Sequence, residues 1–256
     1  MRRPNTPQTT ILRHGPAVRI AHALLALSVI VLIVSGLGMA ERLPGQAVSM
    51  LGGHVWLGDL HRQLGLVSGV AVAGLLLFGP AAGRRLIRDM CRFHRGDATW
   101  FRSFARYVLA PSRHRPQSHD GRFDPGQRIV FAVILGSAAA LTVSAAALYL
   151  APAGSTSLLA WALRIHVVAA VIFIAALAVH VAVGVGLLAS HRNIGRVMFG
   201  DGRVPEDLAH TLWPTWTVAQ TEGRRADPKI AQPPAAPASV ANQAQPSGSI
   251  DQAWPE

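Results

Sequence analysis

The stretch Ile165–Ser190 reads IHVVAAVIFIAALAVHVAVGVGLLAS and contains no Asp, Glu, Lys or Arg. A run of about 20 apolar residues is long enough to cross the hydrocarbon core of a bilayer as a helix. Two histidines, His166 and His180, interrupt the apolar pattern. Ionisable residues inside a membrane are costly and usually have a function. The stretch therefore predicts a membrane-spanning helix that holds two functional imidazoles.

The composition of the whole chain also favours a membrane protein. Of 256 residues, 50% are hydrophobic and 14% are charged, and the mean hydropathy is +0.31. A soluble domain has about 25% charged residues, so a soluble enzyme is disfavoured. The single cysteine, Cys91, excludes a disulfide scaffold, a Cys-ligated iron–sulfur cluster and a CxxC redox pair. The net charge of +11 comes from arginines beside apolar runs, which indicates a lipid bilayer and no nucleic-acid partner.

Three more apolar runs, Ala17–Gly38, Leu60–Ala82 and Ile129–Ala151, are each long enough to span a bilayer. The first run and its lead are too long for a cleaved signal peptide. We therefore predict an all-α fold, an integral membrane four-helix bundle. Its parts are a cytoplasmic N-terminal lead (1–16), the four-helix domain (17–190), a cytoplasmic amphipathic segment (191–220) and a disordered tail rich in Pro, Ala and Gln (221–256).

The distribution of arginine predicts the orientation of the bundle. The connection Gly83–Arg128 contains 11 arginines, whereas Met39–Asp59 contains only Arg42 and Pro152–Leu163 contains none. Cytoplasmic loops collect positive charge, so we expect both termini and the long middle loop to be cytoplasmic. An even number of spans agrees with this placement. The expected location is the bacterial inner membrane, as a multi-pass protein.

Four histidines lie inside the predicted spans: His22, His61, His166 and His180. The fourteen residues between the last two correspond to about 21 Å of helix, and both rings lie on roughly the same face. We expect His22 to meet His180 near the cytoplasmic side, and His61 to meet His166 near the periplasmic side. Two such pairs in a helical bundle predict two six-coordinate b haems, with these four residues as axial iron ligands.

Other interpretations of the histidines remain open. A membrane histidine can act in a proton relay or an interhelical hydrogen bond, so a haem-free transporter or proton relay is the alternative of another class. A purely structural anchor is a third possibility. Zinc is disfavoured because each depth offers two nitrogen ligands and no carboxylate or thiolate nearby. His54, which precedes His61 by seven residues, is a rival ligand that we expect in the preceding loop.

Three arginines accompany the predicted ligands: Arg19, Arg62 and Arg164. Haem propionates need cationic partners, and arginine forms bidentate pairs with carboxylates. We predict that Arg19 serves the inner haem and that Arg62 or Arg164 serves the outer one. The alternative is that each side chain extends from a helix end into the lipid headgroups.

These features resemble a known family, the cytochrome b (gamma) subunit of membrane-bound respiratory formate dehydrogenases. That family lies within the wider four-helix di-haem cytochromes b, which include bacterial cytochrome b561 and the Ni-Fe hydrogenase cytochrome b. The resemblance is carried by Arg19-Ile20-Ala21-His22, Leu60-His61, the pair His166 and His180, the stretch Arg122-Phe123-Asp124-Pro125-Gly126-Gln127-Arg128, and the stretch from Gly202 through His210 and Pro214 to Trp216.

The resemblance implies an electron-transfer subunit of a formate dehydrogenase complex, with no formate-oxidising site in this chain. It implies an iron–sulfur beta subunit and a molybdenum- or tungsten-containing catalytic alpha subunit as partners at the outer face. Electrons would pass through both haems to menaquinone or ubiquinone on the cytoplasmic side. The alternative is the cytochrome b subunit of a Ni-Fe hydrogenase or another periplasmic dehydrogenase.

The resemblance also implies a quinone site at Asp124, Gly126 and Gln127. The chemistry of these residues suits the role, because the Gln127 amide can donate to a quinone carbonyl or accept from a quinol. Asp124 is placed to pass cytoplasmic protons to the reduced quinone. The sequence Asp-Pro-Gly also has an ordinary structural interpretation, as a turn before a helix.

Overall fold

The computed structural model describes residues 9–78, 81–110, 113, 119, 121–187, 191–192 and 194–226. The predicted tail from residue 227 onward, and residues 1–8 of the predicted lead, lie outside the described residues. The elements in chain order are β1 (Thr10–Leu12), α1 (Pro16–Met39), α2 (Gly45–Met50), α3 (Gly53–Phe78), α4 (Ala81–Cys91), α5 (Asp97–Leu109), α6 (Pro125–Leu150), α7 (Thr156–Gly184), α8 (Arg196–Phe199), β2 (Arg203–Pro205), α9 (Glu206–Leu212) and α10 (Pro214–Ala226).

Three of the described helices, α1, α6 and α7, are long and apolar enough to cross a membrane. Many of their large apolar side chains are exposed: Leu24 is 62% exposed, Val143 70% and Val171 63%. Apolar surface of this extent is rare on soluble monomers and is expected where a protein faces lipid. The prediction of a helical membrane protein is therefore confirmed.

Three predicted helix starts were wrong, one of them that of α6, which begins at Pro125 instead of Ile129. Helix α3 begins at Gly53 instead of Leu60, and α7 begins at Thr156 instead of Ile165. The prediction followed the edge of the apolar run, but backbone hydrogen bonds continue a helix through polar residues outside that run. As a result His54 lies in the first turn of α3 and not in a loop. Residues 79–80 of the predicted segment Leu60–Ala82 lie outside the described residues, with α3 described up to Phe78 before them and α4 from Ala81 after them.

The long helices pack as two neighbouring pairs. Helix α1 packs against α3, α6 packs against α7, and α3 also contacts α6. At the contact of α3 with α6, a Cβ atom added to Gly69 would lie 3.0 Å from Thr142 Cγ2. Small residues allow helix backbones to approach this closely in membranes. The buried residues of α6 and α7 are mostly small and recur every seven residues: Ser137, Ser144, Ala162, Ala169 and Ala176.

A small apolar cluster joins the two ends of the described chain. Strand β1 pairs antiparallel with β2, with Ile11 opposite Val204. The cluster, called the terminal cluster below, consists of Ile11, Ile194, Val197, Val204, Ala209, Leu212 and Trp213. The all-α prediction missed this two-stranded sheet, because three-residue strands are too short to show an alternating pattern.

The chain divides into two compact units, Met1–Ala219 and Gln220–Glu256. Only residues 220–226 of the second unit are described, and they form the last part of α10. Residues 221–226, which the sequence assigned to the disordered tail, are therefore helical. Most of these residues are good helix formers, which explains the continuation.

Candidate functional site

The four predicted histidines form two pairs in space. The ring centroids of His22 on α1 and His180 on α7 are 6.3 Å apart. Those of His61 on α3 and His166 on α7 are 6.2 Å apart. Both pairs join the partners expected from the sequence. Because α7 supplies one ring to each pair, the pairs are separated by about 21 Å along that helix.

The spacing within each pair suits a shared metal ion. A metal bound by one nitrogen of each imidazole lies about 2 Å from either nitrogen and roughly 3 Å from either centroid, so the centroids are about 6 Å apart. Two rings leave most positions of a six-coordinate ion open, and the plane of a porphyrin supplies four nitrogens. Among the residues with described positions, no group of three or more His, Cys, Asp or Glu could hold a metal ion. The donor set of each pair therefore fits haem iron.

A buried serine on α1 orients the His61 ring. The Ser35 hydroxyl donates to Val31 O at 2.7 Å and lies 3.0 Å from His61 Nδ1. With the hydroxyl proton directed to the carbonyl four residues earlier, Ser35 Oγ is free to accept from the Nδ1–H group of His61, which also has the Leu32 carbonyl as an acceptor. This hydrogen bond fixes the tautomer and leaves Nε2 of His61 available to a metal.

A buried serine on α6 orients the His166 ring in the same way. The Ser144 hydroxyl donates to Ala140 O at 2.7 Å and lies 3.0 Å from His166 Nδ1. Ser35 and Ser144 were not predicted from the sequence. Their signal was present but weak: each is a serine inside an apolar span, seven residues after another serine (Ser28 and Ser137).

The His22–His180 pair has a different environment. The His22 ring contacts Phe199 edge-on with centroids 5.7 Å apart, and the His180 ring contacts Phe131 at 5.5 Å. His22 Nδ1 is buried and has no hydrogen-bond partner among the described residues. Each ring of this pair thus contacts a phenylalanine, whereas each ring of the other pair contacts a serine hydroxyl.

The three predicted propionate partners differ in their surroundings. Arg19 Nε is buried and has no hydrogen-bond partner in the described part of the chain. A buried donor without an acceptor is rare, and a carboxylate of a bound haem would satisfy it. Arg62 is exposed and forms an ion pair with Asp59 on its own helix. Arg164 lies over the Trp161 ring, 5.3 Å from its centroid. The geometry therefore favours Arg19 for this role.

The predicted quinone-site residues lie together where α6 begins. Asp124 is the N-cap, and its carboxylate accepts a hydrogen bond from Gln127 N at 2.9 Å, so the turn interpretation also holds. The Gln127 side-chain oxygen accepts from Trp213 Nε1 at 3.4 Å. A Cβ atom at Gly126 would lie 3.0 Å from Trp100 Cη2, so this position needs glycine for close packing.

A chain of aromatic contacts connects this turn to the His22–His180 pair. The Phe131 ring lies 5.5 Å from the His180 ring and 5.4 Å from the Phe123 ring. Phe123 directly precedes Asp124. The Arg13 guanidinium lies 4.1 Å from each of two indole rings of the terminal region, those of Trp213 and Trp216. Aromatic rings and the Arg13 guanidinium therefore lie beside the Asp124 turn, since Arg13 also lies 5.9 Å from the Phe123 ring.

Burial raises the pKa of the Asp124 carboxyl. Hydrogen bonding by the Gln127 N–H and the nearby His119 and His191 oppose this effect. Burial lowers the pKa of His191, and the charge of Asp124 counteracts that change. Asp124 is therefore a carboxyl that retains its proton to higher pH than an exposed aspartate does.

A buried ion pair anchors the start of α6 to α5. Arg128 is only 1% exposed, and it donates to Asp97 Oδ1 at 2.6 Å and to His94 Nδ1 at 2.8 Å. This network was not predicted from the sequence. A cavity of about 130 Å³ lies beside it, lined by Asp89, Arg92, His94, Gly121, Arg122, Phe123 and Arg128. This cavity is not lined by Asp124 or Gln127.

Comparison with known proteins agrees with this geometry. A family model described as prokaryotic cytochrome b561 matches residues 13–200. The matched range contains both histidine pairs, Arg19 and the turn at Asp124. No curated protein sequence matches the chain. The family consists of membrane proteins that bind haem b and transfer electrons. Because the match covers well over half of the length of this chain, the chain belongs to the prokaryotic cytochrome b561 family.

Proposed function

We propose that the chain is the di-haem cytochrome b subunit of a membrane-bound formate dehydrogenase. In this role it anchors the complex and passes electrons from a periplasmic iron–sulfur subunit to a quinone on the cytoplasmic side. The observation that carries the proposal is the presence of two histidine pairs with centroid distances of 6.3 and 6.2 Å at two depths of α7. Each pair would hold one haem b.

The pairing of β1 with β2 supports a four-span topology. Strand β1 precedes α1 and β2 follows α7, and their pairing requires both to be on the same side of the membrane. An odd number of crossings would put them on opposite sides. With α1, α6 and α7 as three spans, α3 supplies the fourth, and the result is a four-helix bundle.

Charge then assigns the sides of the bacterial inner membrane. Both described termini share a side with the arginine-rich connection between α3 and α6, and positive charge is retained in the cytoplasm. His22 and His180 accordingly hold the inner haem. His61 and His166 hold the outer haem, near the periplasmic iron–sulfur and molybdenum- or tungsten-containing partners.

The haems, when bound, supply one-electron transfer, and the protein side chains control the rest. The four imidazoles would hold the two haems through their ring nitrogens and would leave no open position for oxygen. Reduction of quinone to quinol takes two electrons and two protons. In this proposal the Gln127 amide, which accepts from Trp213 Nε1, holds the quinone carbonyl, and the buried Asp124 carboxyl supplies protons from the cytoplasm.

This topology would charge the membrane, because electrons move inward while protons are consumed inside. Moving one charge against 100 mV costs about 2.3 kcal/mol. The free energy released when an electron passes from the donor to the quinone must exceed that amount. The direction of the potential difference between the two haems is therefore important for turnover.

The proposal is tested by isolating the complex from its native membrane through a tag on this chain. We expect an iron–sulfur subunit and a molybdenum or tungsten subunit to co-purify, and formate to reduce both haems. Reduction by hydrogen and not by formate would identify the hydrogenase cytochrome instead. A colourless preparation whose histidines support proton flux would replace the proposal with the proton-relay alternative.

A variant separates the quinone step from haem binding. Gln127→Ala should leave the haem spectra unchanged and abolish most quinone reduction, while formate still reduces the haems. Gln63→Ala is a matched control, because Gln63 is an exposed glutamine on α3. Normal quinone reduction by Gln127→Ala would remove Gln127 from the site.

A further inference from the structure

The two histidine pairs differ in what their Nδ1 atoms contact. Both rings of the His61–His166 pair have Nδ1 at 3.0 Å from a buried serine oxygen. In the other pair, His22 Nδ1 is buried without a hydrogen-bond partner among the residues described. Within the described part of the chain, α1 and α6 thus provide serine acceptors to His61 and His166.

We infer that Ser35 and Ser144 lower the reduction potential of the outer haem relative to that of the inner haem, so that electrons move inward downhill. The inference rests on the proposed function, because it requires a haem on each pair. It assigns Ser35 and Ser144 as positioning residues that act on the iron through His61 and His166.

The physical basis is the effect of a second hydrogen bond on the ligand. An imidazole that donates its Nδ1–H to an acceptor becomes a more basic ligand through Nε2. Greater electron donation favours ferric over ferrous iron, and hydrogen bonding around the axial ligands is one means by which proteins set haem potentials. The effect is doubled at the outer haem, because both of its ligands donate.

The serine hydroxyls are well suited to act as acceptors. Ser35 is 1% exposed and Ser144 is 3% exposed, so water does not compete for their oxygens. Each donates its own proton to a backbone carbonyl, at Val31 and Ala140 respectively. A hydroxyl that donates in such a chain becomes a stronger acceptor through polarisation.

Two other serines make the same bond to their own helix without a described contact to a histidine. Ser28 on α1 donates to Leu24 O at 2.9 Å, and Ser137 on α6 donates to Val133 O at 2.6 Å. Each lies seven residues before Ser35 or Ser144 on the same helix and has no described contact with a histidine. They are matched controls for the loss of a helical serine.

The test is a redox titration of the purified protein with both haems monitored by absorbance. The component that disappears in His166→Leu is the outer haem. In Ser35→Ala and Ser144→Ala we expect the potential of that component to rise by the equivalent of about two- to tenfold in the ferrous-to-ferric ratio. Tenfold corresponds to about 59 mV for one electron. The inner component should not move.

The controls isolate the hydroxyl. Ser35→Thr and Ser144→Thr keep the acceptor and should keep the wild-type potential, and Ser28→Ala and Ser137→Ala should change neither component. If an alanine variant releases the outer haem, Ser35→Cys decides the matter, because sulfur is a weak acceptor and should still raise the potential.

Three results would overturn the inference: unchanged potentials in the alanine variants, a fall in the outer potential, or a shift confined to the inner haem. Each leaves two haems in place, so the proposed function would stand. A wild-type protein without haem would instead refute the proposed function itself.

Discussion

Gly36 on α1 lies directly against the imidazole of His61 on α3. A Cβ atom added at Gly36 would be 3.1 Å from His61 Cε1, which is closer than most side chains approach. Ser35, the preceding residue, holds Nδ1 of the same ring. Two consecutive residues of α1 therefore fix the position of His61, one through a hydrogen bond and the other through the absence of a side chain.

Gly36→Val should displace the His61 ring and weaken the outer haem site. We expect the haem content of the purified variant to fall from two per chain towards one, with the inner haem retained. Gly65→Val is the control, because a Cβ atom there would make only an ordinary contact of 3.8 Å with Leu32. Full haem content in Gly36→Val would show that the close approach does not matter.

Arg19→Gln should weaken the inner haem site. Arg19 Nε is buried without a described partner, so loss of the guanidinium removes the cation expected to pair with a propionate. The measurement is the occupancy and potential of the inner haem. Arg62→Gln provides the comparison, since Arg62 is exposed and already paired with Asp59. An inner haem unchanged in both respects would end this assignment.

The histidine pairs could be predicted from the sequence because helical periodicity and depth are properties of a single span. The interval from His166 to His180 determines their shared face and separation without knowledge of any other helix. Ser35 and Ser144 could not be predicted in the same way. A serine inside an apolar helix usually bonds its own backbone, and only the packing of α1 on α3 and of α6 on α7 brings these hydroxyls to a ring.

The pairing of β1 with β2 could not be predicted from the sequence either. Each strand has three residues, and their contact depends on where α1 starts and where α7 ends. The same holds for Asp97 and Arg128, whose ion pair joins two helices across an arginine-rich connection. With so many arginines nearby, composition gives no means of choosing the partner of Asp97.

Asp124→Asn should change how stability depends on pH. Burial raises the pKa of Asp124 above its unfolded value of about 3.9, so the native state binds the proton more tightly. The resulting stabilisation is present at low pH and is lost as pH rises through the native pKa. The melting temperature of wild type in detergent should therefore fall relative to that of Asp124→Asn as the pH is raised from about 4.

Asp201→Asn supplies a control of opposite sign. Asp201 is exposed, and a hydrogen bond from Arg203 N lowers its pKa, so any contribution it makes is lost as pH falls. The Asp124→Asn variant keeps the N-cap, because an asparagine side chain also accepts the hydrogen bond from Gln127 N. A difference between wild type and Asp124→Asn that stays constant with pH would mean that Asp124 titrates normally.

Arg13→Ala should destabilise the terminal cluster. The guanidinium lies 4.1 Å from the rings of both Trp213 and Trp216 and donates to Arg122 O at 2.7 Å. Loss of two desolvated cation–π contacts and a hydrogen bond should cost about 2–4 kcal/mol. Thermal unfolding in detergent measures the change. Arg203→Ala, which removes an exposed arginine of β2, should have little effect, and equal losses in both variants would contradict the prediction.

The most direct test of the central claim is a reduced-minus-oxidised absorbance spectrum of the purified protein, with haem counted per chain. We predict low-spin b-type bands and two haems in the wild type. His180→Leu should retain one haem, and His61→Leu combined with His180→Leu should retain none. A wild-type protein without haem bands, or a His180→Leu variant that keeps both haems, would contradict the account.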